Sequence, residues 1–323
     1  MEWISLICHP LWFLVSVILI IVVKWQRKGY WKPQDCPVRL TGKTVIVTGA
    51  NTGIGKQIAM DLARRNARVI LACRNLYRGR NTEQEIRHKT GNHNVHLRIL
   101  DTSSLQSVRR FSEQINKEEK QLDILINNAG ASGLKREITS DGLELTFATN
   151  CLGPFLLTNL LLEKLKLSTL ARIVNVSSLN HARGKIDFTQ MTGENFPPFD
   201  SAYNNTKLMN ILHTMELSNH LQHSAVTVNA VNPGVVLTEV MRNYNVLIRS
   251  CFNIIGFFCF KSPQEGAVST IYCAVSKELE NVSGKYIDSD CSLRLPSPTA
   301  QDASIAGKLW DISERLTANS RDK

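Results

Sequence analysis

The chain has 323 residues, 43% hydrophobic and 20% charged, a balance that fills a core and excludes a disordered protein. Its formal net charge of +10 points to an anionic partner: nucleic acid, an acidic membrane surface or a phosphorylated cofactor. Nucleic acid is the weakest of the three and is not expected, because the chain has no zinc-finger spacing, RNA-binding aromatic signature or long Lys/Arg run.

Residues 3–23 carry no Asp, Glu, Lys or Arg. As a helix they would span about 30 Å, one hydrocarbon core. Only Glu2 precedes the run, while Lys24, Arg27, Lys28 and Lys32 come after it. A cleaved signal peptide has the opposite order, and the positive-inside rule keeps the C-terminal side of the run in the cytosol. Residues 1–23 are therefore expected to form a single-pass signal-anchor helix, though His9 and Pro10 weaken its first half; the alternatives are an interfacial or hairpin anchor and, last, a cleaved signal. Residues 24–40, with Pro33 and Pro37, read as a basic linker. The eight cysteines form no C-x-x-C pair, so no metal site is expected. Cys73, Cys151 and Cys273 lie in apolar runs and read as reduced, buried thiols of a cytosol-facing protein.

From residue 41 to 323 the chain reads as one domain. Strand-like runs at 44–49, 68–73, 95–100, 122–127, 171–178, 226–234 and 284–289 alternate with helix-like runs such as 56–66, 104–120 and 153–166. Near-continuous Val/Ile/Leu strands alternating with helices predict an α/β fold with a doubly wound, mostly parallel sheet covered on both faces.

"VIVTGANTGIGKQIA" (45–59) places Gly49, Gly53 and Gly55 between the first strand and the first helix. Glycines there let the backbone turn tightly and approach a pyrophosphate, to which the helix start presents free N–H groups. Asn51, Thr52 and Ile54, the residues between them, are expected to line the same cofactor. The spacing is G-x-x-x-G-x-G rather than G-x-G-x-x-G, so its position between strand and helix carries the argument. At the end of the second strand stands Arg74, where an acid would read a ribose 2′-OH. A guanidinium pairs with a 2′-phosphate, so NADP(H) is expected over NAD(H).

"SAYNNTKLMN" (201–210) has two readings. Asn204-Asn205-Thr206 is a glycosylation acceptor. Tyr203 and Lys207, at i and i+4, put a phenol beside an ammonium on a helix, and a phenol beside a cation can be a tuned proton donor. A glycan on Asn204 would cover the phenol, so the readings exclude each other.

"TGANTGIG" (48–55), "NNAG" (127–130), "NVSS" (175–178), Tyr203-x-x-x-Lys207 and "NPG" (232–234) occur in the order and spacing of the short-chain dehydrogenases/reductases. Over about 40–315 the chain resembles that family, and most closely its membrane-anchored retinol dehydrogenase branch. It departs from the pattern at Thr102, where Leu is usual, and at Pro154, where His is usual. The resemblance implies a Rossmann-like fold, a nicotinamide cofactor and a catalytic set of Ser178, Tyr203, Lys207 and Asn150. Tyr203 is the proton donor or acceptor, and Lys207 favours the phenolate by charge proximity. Ser178 is a second donor to the substrate oxygen, and Asn150 holds a water near the lysine. Asn128, Ala129 and Gly130 would line the cofactor, with Tyr203 and Lys207 also touching it. Asp101 and Thr102 would lie by the adenine, and Pro233, Gly234 and Thr238 by the carboxamide.

The run at 245–260 has Arg249 as its only charge and lies in a segment, about 240–262, where the family keeps its substrate lid. It reads equally as an apolar lid and as a helix buried on the core. The expected activity is NADP(H)-dependent interconversion of a lipophilic alcohol and aldehyde, retinol/retinal foremost. The alternatives are a steroid or fatty-aldehyde reductase, or a weakly active lipid-associated scaffold. Expected partners are a lipophilic small molecule and the endoplasmic reticulum membrane, with a homodimer left open. Two acceptor asparagines, Asn175 and Asn204, would place glycans at the site in a lumenal protein, which agrees with the cytosolic orientation.

Overall fold

The computed structural model describes residues 31–197 and 201–318. The expected anchor at 1–23 and residues 24–30 of the linker lie outside the described residues. In chain order the elements are β1 (Thr44–Thr48), α1 (Gly53–Arg64), β2 (Arg68–Cys73), α2 (Leu76–Thr90), β3 (Val95–Ile99), α3 (Leu105–Glu118) and β4 (Ile124–Asn127). There follow α4 (Leu145–Lys166), β5 (Ala171–Val176), α5 (Ser201–His220), β6 (Val226–Val231) and α6 (Val246–Cys259). The last elements are α7 (Pro263–Val275), β7 (Tyr286–Ile287), β8 (Leu293–Arg294) and α8 (Ala303–Thr317).

The strands form one eight-stranded sheet in the order β3-β2-β1-β4-β5-β6-β7-β8. All pairings are parallel except β7 with β8. The layers follow from strand alternation. Val45 and Val47 of β1 point to a core shared with α1 and α7, and Ile46 points to a core shared with α3, α4, α5 and α8. Because both faces are covered, every β1 residue is buried. This is the expected single-domain, doubly wound, mostly parallel sheet. The helix Leu145–Lys166 is long and apolar enough to cross a membrane, but it is mostly buried and serves as a core helix.

The strands stop short of several sequence bounds. The run at 226–234 ends at Val231 because Asn232 folds back, its side-chain oxygen accepting from the Gly234 N–H at 3.0 Å. The run at 284–289 pairs only at two residues, and β8, two exposed residues long, was not anticipated. The run at 245–260 is not a buried helix: Gly256 alone of α6 is buried. Its base is tied where Lys261 N–H donates to Val235 and Leu237 N–H to Lys261, each at 2.9 Å. The segment between leaves the sheet's layers.

Candidate active site

A cleft of about 790 Å³ opens at the carboxyl ends of β1, β4 and β5, beside the point where strand order reverses and ligands of such sheets bind. Every residue singled out in the sequence for cofactor or chemistry lines it, except Asn150.

At one end lies the glycine turn. Gly49 takes a φ of +66°, open to glycine at little cost. A methyl on Gly55 would lie 2.5 Å from the Gly49 carbonyl oxygen and against the Asn128 amide. Only glycine lets α1 start this close to β4. No side chain caps the first turn of α1, so its N–H groups remain for an anion. Thr48, not foreseen from the sequence, organises the opposite wall. Its hydroxyl accepts from the Asn128 and Ala129 N–H groups at 3.0 and 2.9 Å, and Asn128 Nδ2 donates to the Thr48 carbonyl at 2.9 Å. A polar residue closing the apolar run "VIV" (45–47) was the available signal.

At the other end Tyr203 is half-buried on α5 and hydrogen-bonded to Ser178. Lys207 is buried, its Nζ donating to the Val176 carbonyl at 2.7 Å and lying 5.6 Å from the Tyr203 ring centroid. That uses one of its three donors. The two serines divide their work. Ser177 is buried and donates to the Lys207 carbonyl at 2.7 Å, tying β5 to α5. Ser178 faces the cleft and accepts from the Asn180 N–H at 3.2 Å. His181 holds this corner. The Ser297 N–H donates to its Nε2 at 3.1 Å, so Nδ1 carries the proton and donates to the Ser178 carbonyl at 2.7 Å.

The electrostatics correct one expectation. Burial pushes Tyr203 above the usual tyrosine range, against the lowering effect of Ser178, and pushes Lys207 down to about 8. The lysine thus loses its proton before the tyrosine titrates, so by itself it does not hold a phenolate.

Asn150 lies buried behind the cleft wall. It sits in a π turn, Ala148–Leu152, within α4. Its side-chain oxygen accepts from the Ala131 N–H, and its Nδ2 donates to the Ala131 carbonyl, both at 2.8 Å, and to Thr206 Oγ1 at 3.2 Å. With the amide so engaged, the side chain positions the segment after β4. Gly130 lets this segment pass: a methyl there would meet Lys207 Nζ at 3.3 Å and Asn150 Oδ1 at 3.5 Å.

At the far side of the glycine turn Arg74 is exposed, with its Nη1 3.7 Å from Asp101 Oδ2. Arg78, missed in the sequence, grips Glu239 with one nitrogen 2.6 and 2.7 Å from its two oxygens. This pair joins α2 to the segment after β6, across the cleft's edge. Ser132 Oγ and Tyr244 Oη lie 2.8 Å apart, and Asn243 Nδ2 donates to the Ser132 carbonyl at 2.8 Å. These contacts close the base of the lid on the segment that Asn150 holds. Ile248 and Phe252 of α6 complete the apolar end. Of the acceptor asparagines, Asn175 is bonded to Asn127 and Thr214 at 2.9 Å each, and Asn204 lines the cleft.

Residues 43–246 match the family model for short chain dehydrogenase. Retinol dehydrogenase 13 of Mus musculus is 48% identical over 297 residues, covering 90% of this chain and 88% of its own. Retinol dehydrogenase 11 of Homo sapiens is 47% identical over 306 residues, covering 94% and 95%. A solved structure of an uncharacterized Mycobacterium paratuberculosis protein superposes with a TM-score of 0.71 at 32% identity, over 90% of this chain and 98% of that one. A Shigella flexneri structure described as a short chain dehydrogenase complexed with NADP superposes at 0.62 with 23% identity, covering 78% and 98%, which speaks to the fold.

Proposed function

The chain belongs to the short-chain dehydrogenase family of oxidoreductases, whose fold binds a nicotinamide cofactor, and we propose that it uses NADP(H) to interconvert retinol and retinal. The observation that supports this best is the meeting of a phenol, a hydroxyl and an ammonium, from Tyr203, Ser178 and Lys207, between a glycine turn and an apolar lid in one cleft. The glycine turn and the free N–H groups of α1 would hold the pyrophosphate, with Arg74 at the 2′-phosphate. A bound nicotinamide supplies or takes the hydride. Tyr203 gives a proton to the carbonyl oxygen in reduction and takes it from the alcohol in oxidation. Ser178 donates a second hydrogen bond to that oxygen. Lys207 keeps a positive charge under the ring below pH of about 8. The names of the relatives and the apolar lid support a retinoid. Residues 1–23 would anchor the protein in the endoplasmic reticulum membrane, with the basic linker 24–40 holding the catalytic body 41–323 in the cytosol.

NADPH consumption with all-trans-retinal, hexadecanal and a ketosteroid tests the substrate. Turnover of retinal above the other two is expected, and binding without turnover on all three defeats the enzymatic reading. Arg74→Asp is expected to raise the KM for NADPH about 10–100-fold, the worth of a lost charge-assisted hydrogen bond, and to leave NADH use unharmed. An unchanged KM ratio would remove Arg74 from cofactor choice.

The sign of the pH response comes from the two shifted groups. Tyr203 stays protonated through neutrality, so kcat/KM for reduction should be flat from pH 6 to about 8 and fall as Lys207 loses its proton. Oxidation needs the proton removed and should speed up with pH across the same range. A reduction rate that climbs with pH contradicts Tyr203 as the donor.

A further inference from the structure

We propose that α6 is a membrane-contact element, its outward face lying in the interfacial layer of a lipid bilayer so that the mouth of the cleft opens against lipid. The helix has two faces of different use. Ile248, Phe252 and Gly256, four residues apart, face inward: the first two line the cleft and Gly256 packs on Leu237 and Phe260. Leu247, Ile254 and Phe258, spaced by seven and eleven residues from the first, share the opposite side with Val246 and Phe257. These five large apolar side chains are 48–78% exposed.

Scattered exposed apolar residues need no explanation, but five large ones gathered around Ser250 on one side of one helix mark a binding surface. The occupant is named by three observations. First, α6 carries a single charge, Arg249, on the flank of that face, and its 14 residues reach about 21 Å. That is too short to span a bilayer but suited to lying along one. Second, the chain enters the described structure on the neighbouring helix: Trp31 packs edge-on against Tyr272 of α7 with ring centroids 5.3 Å apart. Tyr272 lies nine residues into α7, about 14 Å along its axis from the end next to α6. Only residues 24–30 separate Trp31 from the uncharged run 3–23, a reach of at most about 25 Å. A bilayer holding that run is therefore within reach of α6. Third, the net charge of +10 favours an anionic leaflet.

The test uses the full chain reconstituted in vesicles of phosphatidylcholine with phosphatidylserine. The photo-reactive residue p-benzoyl-phenylalanine is placed singly at position 254, 257 or 258, so that one misfolded variant does not leave the question unread. The control position is 167, where Leu167 is 63% exposed in the turn before β5, at the end of the sheet opposite the cleft. Lipid adducts at the three α6 positions are expected at about tenfold or more the yield at 167. Equal yields at all four positions overturn the proposal, as do adducts from α6 to a second copy of the chain or to another protein in place of lipid. The readout does not depend on turnover, so it stands or falls separately from the retinoid assignment.

Discussion

Tyr203→Phe is expected to lower kcat/KM by about 10²–10⁴-fold, the usual worth of a positioned proton donor, while leaving NADPH affinity nearly intact. The substitution removes one oxygen from a half-buried ring and leaves the rest of the site in place. Lys207 remains fixed by the Val176 carbonyl and by the bond from Ser177 to its own carbonyl. Ser178 loses the phenol but keeps the Asn180 N–H, and His181 still holds its backbone. The glycine turn lies at the other end of the cleft. Because the lost bond strengthens only as charge develops on the substrate oxygen, kcat and kcat/KM should fall together. Steady-state kinetics with retinal and NADPH, paired with NADPH fluorescence titration of the same variant, read the two quantities separately. A fully active variant would remove Tyr203 from the reaction, and a variant that cannot bind NADPH would make it a cofactor residue first.

The order in which Tyr203 and Lys207 titrate is information the sequence does not contain. An i, i+4 spacing says that the groups are neighbours. It does not say that Lys207 is buried and Tyr203 half-buried, or that Lys207 drops to about 8 while Tyr203 rises. In the proposed reaction the lysine's charge, present through neutrality, acts on a tyrosine that remains a phenol. That favours proton donation, the step needed in aldehyde reduction.

Legibility elsewhere in the chain obeys the same physics. The sheet could be read because both of its faces are covered, so the strands are apolar throughout and stand out between helices. The glycine turn could be read because backbone crowding leaves one residue type possible at Gly55. Asn150 could be singled out, but its contacts could not: no linear pattern shows that a π turn aims its amide at Ala131. The 245–260 run was ambiguous because apolar composition is the same for a core helix and for a helix that faces a membrane. Only the neck between Val235, Leu237 and Lys261 shows that the segment leaves the core. Arg78 and Glu239, 161 residues apart, meet through the sheet's topology alone.

Two glycine-to-alanine substitutions in helices are expected to act with opposite sign. By helix propensity alone either should stabilise by about 1 kcal/mol. A methyl on Gly307 in α8 would meet nothing within 4 Å, so Gly307→Ala should deliver about that gain. Gly153 stands where the π turn of α4 passes into regular helix. A methyl there would lie 2.9 Å from the Thr102 carbonyl carbon, closer still to its oxygen, and 3.0 Å from the Ala148 carbonyl oxygen. All three atoms are backbone, so no side chain can swing away. Either α4 retreats or the loop after β3 moves, and overpacking of this kind costs about 1–3 kcal/mol or more, which outweighs the propensity gain. Both moves reach the cofactor end of the cleft. Thr102 lines it directly, and Asn150, on the turn that would shift, holds Ala131. Gly153→Ala should therefore lower Tm by several degrees and raise the KM for NADPH. At saturating cofactor kcat should change little, because Tyr203, Lys207 and Ser178 stand on α5 and at the end of β5. Calorimetry and cofactor kinetics on the two variants separate the effects, and if Gly153→Ala raises Tm as Gly307→Ala does, the crossing of α4 over Thr102 is not as tight as the backbone places it.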